Sequence, residues 1–521
     1  MLRVRKSRVA LIGVSIAIIS IATIVLAKTQ NVRDSLILFN EVLTLVREDY
    51  VEKVDFEKLI EGSIRGMLDT LDPHTTYLSK KQHDDLMVST QGSFGGLGIE
   101  IDVRNEWLTV IAPIEGTPAH RMGIRGGDQI IAIEGVSTRG ITITDAVSKL
   151  RGPKGTQVTI TLRRTGEEEP HDYTIERDII EIKSVPFATM IDGEIGYVRI
   201  AQFSQNTAKE LREALRGLEG EGMGKLIIDL RRNTGGLLTQ AIEVSEQFLG
   251  PNEKIVSTRG RRKQQNREYS AGSRAKGSDY PLIVLVDHAS ASASEIVAGC
   301  VQDLDRGIVV GTTSFGKGTV QSVLRLPGGG ALKITTAKYY TPSGRCINMD
   351  QELNDESAIL RDENALPDSG TAYYTEGGRV VMGGGGIRPD IYVEPDSIPP
   401  IVSRVARAGF IFEYAVQYVA ENENIPENFG DNLGLMDGFE DFLVEKDFEF
   451  EEVEFAEGED FMRIMLRSEI ARKVFGDEAA YHISLERDSQ LQRTVDIIRS
   501  SNSLSDLFVV AASEAESKED D

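Results

Sequence analysis

The sequence predicts a multidomain α/β protein. A small β-rich domain is expected between an N-terminal helical segment and a core of alternating strands and helices, with a helical C-terminal extension. The chain has 521 residues, more than one hydrophobic core usually holds. Its hydrophobic and charged fractions, 40% and 27%, are those of a globular protein. The spacing of apolar residues changes along the chain in the order helical, strand-like, alternating and helical again.

Residues 1–27 have the pattern of an export signal. Four basic side chains within the first eight residues precede an uncharged run from Val9 to Ala27. This run lies between a signal-peptide core and the shortest membrane-spanning helix of about 20 residues. Cleavage after Ala27 and retention as a single N-terminal membrane anchor therefore both remain open. Because the basic flank stays in the cytoplasm, we expect the remaining chain to be exported to the periplasm or cell envelope.

Residues 31–90 are expected to form an N-terminal helical region. Apolar residues recur every three or four positions from Leu36 to Val46, which predicts an amphipathic helix. A second helix over Phe56–Leu71 should end at Asp72-Pro73, because proline stops a helix. Apolar helices outside a core often pair with a second copy, so a homodimer through these helices is one hypothesis.

Residues 91–180 contain short β-rich segments such as "GLGIEI" and "QVTITLRR", separated by Gly-Gly and Gly-Pro. With one helix over Thr144–Leu150, they predict a small domain of five or six strands. Residues 184–400 alternate strands such as "KLIIDL" and "PLIVLVD" with helices. That order is typical of βαβ units around a largely parallel sheet.

Residues 401–521 are expected to be an acidic helical extension. Its three candidate helices are "IVSRVARAGFIFEYAVQYVA", "EDFMRIMLRSEIARKVF" and "DSQLQRTVDIIRS". Acids dominate from Glu421 to Asp460, where Lys446 is the single base, and we expect a solvated acidic face there. The final segment "SEAESKEDD" should be a disordered tail.

Charge and cysteine content exclude some classes of function. The net charge of −24 excludes a nucleic-acid partner, since binding phosphates requires a concentrated basic surface. The acidic run has no metal-ligand spacing, and we expect neither a metal nor another cofactor. Cys300 and Cys346 cannot form a disulfide scaffold, although one bridge between them remains open.

The segment "DHASASASEIVAGCVQDLDRGIVVGTTSFGKGTVQ" carries the candidate chemistry. Three alternating serines, Ser290, Ser292 and Ser294, stand between a strand and a helix, where free backbone N–H groups can hold an oxyanion. Serines before a helix also serve as caps. A serine nucleophile needs a base, and Lys317 follows the next strand. Its amine can act only if the pKa falls from about 10.4. Gln321 could then orient it, whereas His288 is better explained as a surface residue.

These motifs closely resemble those of the carboxyl-terminal processing peptidases, which are serine endoproteases with a Ser–Lys pair. The resemblance implies that Ser292 is the nucleophile, Lys317 the base and Gln321 the third member of the triad. "DLRRNTGG" resembles the turn that supplies an oxyanion donor, here Gly235 or Gly236, and the Ala293 amide would be the second donor. Residues 184–400 would then be the Ser–Lys peptidase core.

Residues 91–180 resemble a PDZ domain, because "GGLGIEI" is similar to its carboxylate-binding loop and "GTPAHRMGIRGGDQIIAIEGV" to its body. The amides of Leu97, Gly98 and Ile99 would hold the carboxylate of a peptide that adds as a strand. By the same resemblance, Arg151 would couple this domain to the active site. Its other interpretation is an ordinary surface arginine.

The sequence therefore predicts an exported serine endopeptidase that recognises accessible C-termini of protein substrates through the PDZ domain and cleaves through an acyl-enzyme. Two alternatives remain. One is a non-catalytic PDZ scaffold of the cell envelope, which would not need Ser292, Lys317 and Gln321 together. The other is an acyl hydrolase of lipids or esters, which leaves the PDZ domain unexplained.

Overall fold

The structure, a computed structural model, describes residues 32–349, 371–422, 424–426, 429 and 434–519. They belong to two compact units, one formed by the chain up to Lys80 with Ser322–Ile334, the other by Lys81–Gln321 with the chain from Thr335. The predicted export segment, residues 1–27, lies outside the described residues. None of the helices within the described ranges has the length and apolar character needed to cross a membrane.

The helices are α1 (32–49), α2 (Phe56–Asp69), α3 (Lys80–Gln91), α4 (Pro118–Arg121), α5 (Ile143–Leu150), α6 (Thr207–Gly220), α7 (Leu238–Ser245), α8 (Ala293–Asp303), α9 (Pro400–Ala408), α10 (Phe410–Glu421), α11 (Gly434–Glu445), α12 (Glu452–Phe475), α13 (Asp477–Leu485), α14 (Ser489–Arg499) and α15 (Leu504–Glu519). The strands are β1 (Thr76–Leu78), β2 (Ser93–Gly96), β3 (Ile99–Arg104), β4 (Trp107–Pro113), β5 (Gln129–Ile133), β6 (Val136–Ser137), β7 (Gln157–Arg163), β8 (His171–Glu176), β9 (Asp178–Glu181), β10 (Phe187–Met190), β11 (Ile195–Arg199), β12 (Lys225–Asp229), β13 (Lys254–Gly260), β14 (Arg267–Ser270), β15 (Leu282–Val286), β16 (Ile308–Gly311), β17 (Thr319–Arg325), β18 (Ala331–Tyr340), β19 (Ala372–Tyr374), β20 (Val380–Met382) and β21 (Ile391–Tyr392).

The first unit contains the predicted N-terminal helices. Asp55 caps α2 by accepting the N–H groups of Glu57 and Lys58. After α2 the chain turns at Asp72-Pro73, as the sequence predicted, and β1 pairs antiparallel with the start of β18. The apolar side chains of α1 include several exposed ones: Val32, Leu36, Ile37, Leu38, Phe39, Val42 and Leu45.

In the second unit, β3–β4–β5–β7–β8 form an antiparallel sheet with β6 beside β5, and β2 pairs separately with β9. Leu108, Ile130 and Ile160 are buried between this sheet and α5. The structure thus has the small β-rich domain with one principal helix that the sequence predicted; its main sheet has six strands, and β2 and β9 are two further strands. On one side this domain packs against α10, where Arg104 lies 4.2 Å from the ring centre of Phe412.

The core of the second unit is a six-stranded sheet in the order β10–β11–β12–β15–β16–β21, in which β10 is antiparallel and the others are parallel. Strand order advances in one direction from β11 to β16. Right-handed crossovers therefore place α6, α7 and α8 on the same face of the sheet. The strands "KLIID" and "LIVLV" are buried on both faces, so the opposite face also needs a cover.

The C-terminal extension supplies that cover. Leu491 and Ile498 of α14 and Leu507 of α15 share one apolar cluster with Ile227 and Leu285 of the sheet. Helices α9 to α12 form a second cluster of their own. The extension is therefore partly an integral layer of the protein core.

Three expectations for the extension were wrong in detail. The predicted helix over 401–420 is split at Gly409, whose φ of +79° ends α9 and begins α10. The acidic run is not wholly a solvated face, because α11 buries Phe439 and Leu443. The segment from Ser513 to Glu519 continues α15, although its polar composition favoured disorder.

Candidate active site

Ser292 lies where β15 has ended and α8 begins. It is half-buried, and its backbone has φ 55° and ψ −108°. Positive φ is uncommon and strained for a residue other than glycine, and such strain persists only where neighbouring contacts impose it. The predicted nucleophile therefore occupies a backbone conformation that its surroundings must hold.

The two flanking serines, Ser290 and Ser294, help to fix the backbone of Ser292 in this conformation. Both are fully buried. Ser290 donates its hydroxyl hydrogen to the carbonyl oxygen of Leu230 at 2.9 Å, and Ser294 donates to that of Asn233 at 2.8 Å. The alternation in "SASAS" thus assigns two serines to anchoring the loop and leaves the middle one for chemistry.

The turn after β12 supplies both carbonyl oxygens that accept these serine hydroxyls. Asn233 is fully buried, and its carbonyl oxygen also accepts the N–H of Ala291 at 3.0 Å. Its side chain donates to the carbonyl oxygen of Ile200 at 2.8 Å and accepts the N–H of Gly235 at 2.9 Å. The side chain of Asn233 therefore fixes the turn internally and to the end of β11, whereas its backbone carbonyl oxygen holds the serine loop.

The predicted oxyanion glycines lie in this turn. A Cβ added to Gly235 would come within 2.9 Å of both the Ser292 Cβ and the Ala293 nitrogen, so glycine is needed for the close approach. The Gly235 amide is already bonded to Asn233. By contrast, the amides of Gly236 and Ala293 donate no hydrogen bond to any residue that the structure describes.

Lys317 lies in the loop after β16, which is the parallel neighbour of β15. The two loops leave the same edge of the sheet, as the sequence predicted. The Phe315 N–H donates to the carbonyl oxygen of Ser290 at 3.0 Å. The Tyr339 hydroxyl is within hydrogen-bonding distance of the carbonyl oxygens of both Ser292 and Lys317. The structure therefore brings the predicted nucleophile and base together through their backbones.

Glu295 joins the same two loops from the first turn of α8. One carboxylate oxygen accepts the N–H of Ser292 at 2.7 Å and that of Lys317 at 3.0 Å. The other accepts the Ser314 hydroxyl at 2.6 Å and the Gly316 N–H at 2.7 Å. Burial raises the pKa of the Glu295 carboxyl, and these four hydrogen bonds oppose that rise. The backbones of Ser292 and Lys317 thus meet at a single oxygen atom.

Gln321 lies two residues into β17 and donates from its side-chain nitrogen to the Thr319 hydroxyl at 2.8 Å. Its side-chain oxygen remains as an acceptor. Phe315, in the same loop as Lys317, is 50% exposed. His288 is exposed, as expected for a surface residue.

The predicted carboxylate loop of the β-domain precedes β3, which is an edge strand next to α5. Leu97 is buried and Ile99 begins the strand. Gly98 has φ +77°, and its carbonyl oxygen accepts the N–H of Ile114 at 2.9 Å. Among the residues described, the amides of Leu97 and Gly98 have no hydrogen-bond acceptor.

Arg151 lies at the end of α5. Its guanidinium is 4.5 Å from the ring centre of Phe94 and forms an ion pair of 3.3 Å with Asp85. These contacts connect the β-domain to α3 rather than to Ser292 directly. Of the two cysteines, Cys300 is buried and Cys346 is partly exposed, and both thiols are free.

Comparison with known proteins adds to this geometry. The profile of Peptidase family S41 matches residues 194–356, that of a PDZ domain matches residues 109–164, and that of the N-terminal domain of the activating protease CtpB matches residues 22–82. The carboxy-terminal-processing protease of Bartonella bacilliformis is 44% identical over 322 residues, which cover 61% of this chain and 74% of the relative. The chain belongs to the carboxy-terminal processing protease family. It is therefore a serine-type peptidase with a PDZ domain, and the non-catalytic alternative is not needed.

Other relatives match a similar share of the chain. CtpA of Bacillus subtilis is 35% identical over 63% of this chain and 70% of the relative, and a Synechocystis carboxyl-terminal-processing protease is 38% identical over 60% and 74%. Among solved structures, the photosystem II D1 C-terminal processing protease is 28% identical, covering 71% of this chain and 96% of that one with a TM-score of 0.37.

Two residues of the protease site were not predicted from the sequence. Glu295 resembles an ordinary acidic residue in the first turn of a helix, and Asn233 resembles a turn residue. The signal that could have identified Glu295 is its position three residues after the strained nucleophile, where a carboxylate reaches back to the Ser292 N–H.

Proposed function

We propose that the protease cleaves peptide bonds by a Ser–Lys mechanism. Ser292 attacks the peptide carbonyl, and Lys317 accepts the hydroxyl proton and returns it to the leaving amine. Water then hydrolyses the acyl-enzyme. The observation that carries this proposal is the meeting of the Ser292 and Lys317 backbones at one Glu295 oxygen. Gln321 can orient the amine through its remaining carbonyl oxygen.

The amides of Ala293 and Gly236 are the proposed oxyanion donors. Gly235 packs against Ser292 and Ala293, so the β12 turn and the nucleophile are neighbours. Its own amide is occupied by Asn233, which favours Gly236 of the predicted pair. A preorganised donor of this kind is typically worth about 3 kcal/mol in the transition state.

We also propose that the PDZ domain binds the C-termini of protein substrates. The edge strand β3 can accept an added strand, and the amides of Leu97 and Gly98, which donate to no residue that the structure describes, can hold a terminal carboxylate. The test uses one unstructured reporter peptide in two forms, with a free or an amidated C-terminus. We expect the amidated form to be cleaved with a raised KM, whereas equal KM values would contradict C-terminal recognition.

Replacing Gly98 by Val should weaken peptide binding more than tenfold. The residue has φ +77°, and an added Cβ would lie 2.3 Å from Thr117, so the carboxylate loop must distort. Fluorescence anisotropy with the free-carboxylate reporter measures the effect. Gly166→Val is the matched control, because Gly166 has φ +88° in open space. Equal binding by the two variants would contradict a role for this loop.

Export to the periplasm or cell envelope remains our proposal, as does the choice between cleavage after Ala27 and a single membrane anchor. Fractionation of cells followed by N-terminal sequencing of the mature chain tests both.

A homodimer through the N-terminal helices stays a prediction, supported by the exposed apolar residues of α1. Sedimentation of the purified protein at several concentrations would test it.

A further inference from the structure

The C-terminal extension contacts the turn that carries the proposed oxyanion donor. Arg231, which lies five residues before Gly236, donates two hydrogen bonds to Asp488, from Nη1 to Oδ1 at 2.8 Å and from Nη2 to Oδ2 at 2.6 Å. This paired geometry fixes the guanidinium plane. Gln490 accepts a third hydrogen bond from Arg231 at 3.1 Å and itself donates to the carbonyl oxygen of Val393.

Arg231 also connects Asp488 to Asp229, the last residue of β12. It also donates to both oxygens of Asp229, which is 1% exposed. Asp229 in turn accepts the Arg231 N–H at 2.8 Å and the Arg199 guanidinium at 2.9 Å. Burial alone would raise the pKa of Asp229, but Arg231 and Arg199 hold it below its ordinary value. Two acids and two arginines therefore form a charge-balanced cluster.

The cluster sits at the start of the turn. Leu230, between Asp229 and Arg231, accepts the Ser290 hydroxyl, and Asn233 follows two residues after Arg231. Arg232, which directly follows Arg231, has φ +58°, so the backbone of the turn is strained before the chain reaches Gly235 and Gly236. A strained backbone persists only where neighbouring contacts hold it, and the hydrogen bonds of Arg231 to Asp229 and Asp488 hold the first residues of this turn.

We propose that Asp488 is a positioning residue for catalysis, which acts through Arg231 to hold the β12 turn and its oxyanion donor against Ser292. This inference rests on the proposed oxyanion role of Gly236. It gives the extension a function in the active site, although residues 401–521 lie outside the three matched family regions.

The variants Asp488→Asn and Asp488→Ser test the proposal. Asp488 also caps α14 by accepting the Leu491 N–H at 2.9 Å. Asn and Ser both cap helices well, so these changes remove the charge and keep the cap. Asp192→Asn is the matched control. Asp192 forms a 2.8 Å ion pair with Arg499 of the same helix, α14, but its carboxylate makes no hydrogen bond to the turn residues.

The measurements on the full chain are cleavage of β-casein, used as an unstructured protein, and the rate at which a fluorophosphonate probe modifies Ser292. Because the donor shifts while the substrate contacts remain, kcat and the modification rate should fall on the order of tenfold to hundredfold with KM unchanged. Asp192→Asn should stay within about twofold of the unaltered protein.

A folded Asp488 variant with control-level modification and kcat would overturn the inference, and so would unfolding of both Asp488 variants, which would indicate a purely structural role. These results differ from failure of the proposed function. In that case the unaltered protein itself would show no modification of Ser292.

Discussion

Replacing Ser292 by Ala is expected to abolish cleavage and to leave substrate binding intact. Losing a serine nucleophile lowers kcat by roughly 10³-fold or more, since only the binding and oxyanion contributions remain. The substitution does not change the PDZ domain, which would bind the C-terminus of the substrate, so peptide binding should be retained. Cleavage of β-casein, followed by mass spectrometry of the products, measures the loss, and anisotropy measures binding of the reporter peptide.

Ser513→Ala is the matched control for this change, because Ser513 is an exposed serine on α15. It should cleave at the rate of the unaltered protein. Cleavage by Ser292→Ala at a rate similar to that of Ser513→Ala would remove Ser292 from the mechanism.

Replacing Glu295 by Gln should both destabilise the protein and slow acylation. The carboxylate accepts four hydrogen bonds, and a glutamine amide would present a donor to some of the same N–H and O–H groups. Leaving buried donors unsatisfied should cost about 3 kcal/mol of unfolding free energy. Because the Ser292 and Lys317 loops would separate, the Ser292 modification rate should fall by about a hundredfold.

Glu210→Gln separates the two effects. Glu210 also accepts two backbone N–H groups, from Ser184 and Val185, but it lies on α6 rather than beside Ser292. We expect it to lower the denaturation midpoint and to leave the modification rate of the folded protein unchanged. If Glu295→Gln behaved like Glu210→Gln in both measurements, Glu295 would be a structural residue alone.

The sequence was sufficient to predict that the Ser292 and Lys317 loops lie at the same edge of the sheet, because each loop directly follows its own strand. Ser292 and Lys317 each follow a strand of the parallel sheet, and adjacent parallel strands deliver their loops to the same edge. The alternation of strands and helices also sufficed to predict the crossover units, and the short β-rich segments separated by glycines sufficed to predict the β-domain. Those elements depend on period and turn residues, which are visible within a few positions.

The remaining features depend on contacts between distant segments. Nothing near Glu295 in the sequence indicates that the amides of the Lys317 loop reach its carboxylate. The pairing of Arg231 with Asp488 joins residues 257 positions apart. Likewise, the helices of the extension cover the sheet because α6, α7 and α8 all lie on its other face. The sequence predicted a helix over "DSQLQRTVDIIRS" but not the sheet that this helix covers.

The most direct test of the Ser292–Lys317 pair compares the unaltered protein with Lys317→Arg. Arginine keeps the positive charge but stays protonated, so it cannot accept the serine proton. Peptide mapping after reaction with a fluorophosphonate should locate the adduct on Ser292 in the unaltered protein. Lys317→Arg should give no Ser292 adduct. An adduct on another serine, or equal modification of Ser292 in Lys317→Arg, would contradict the account.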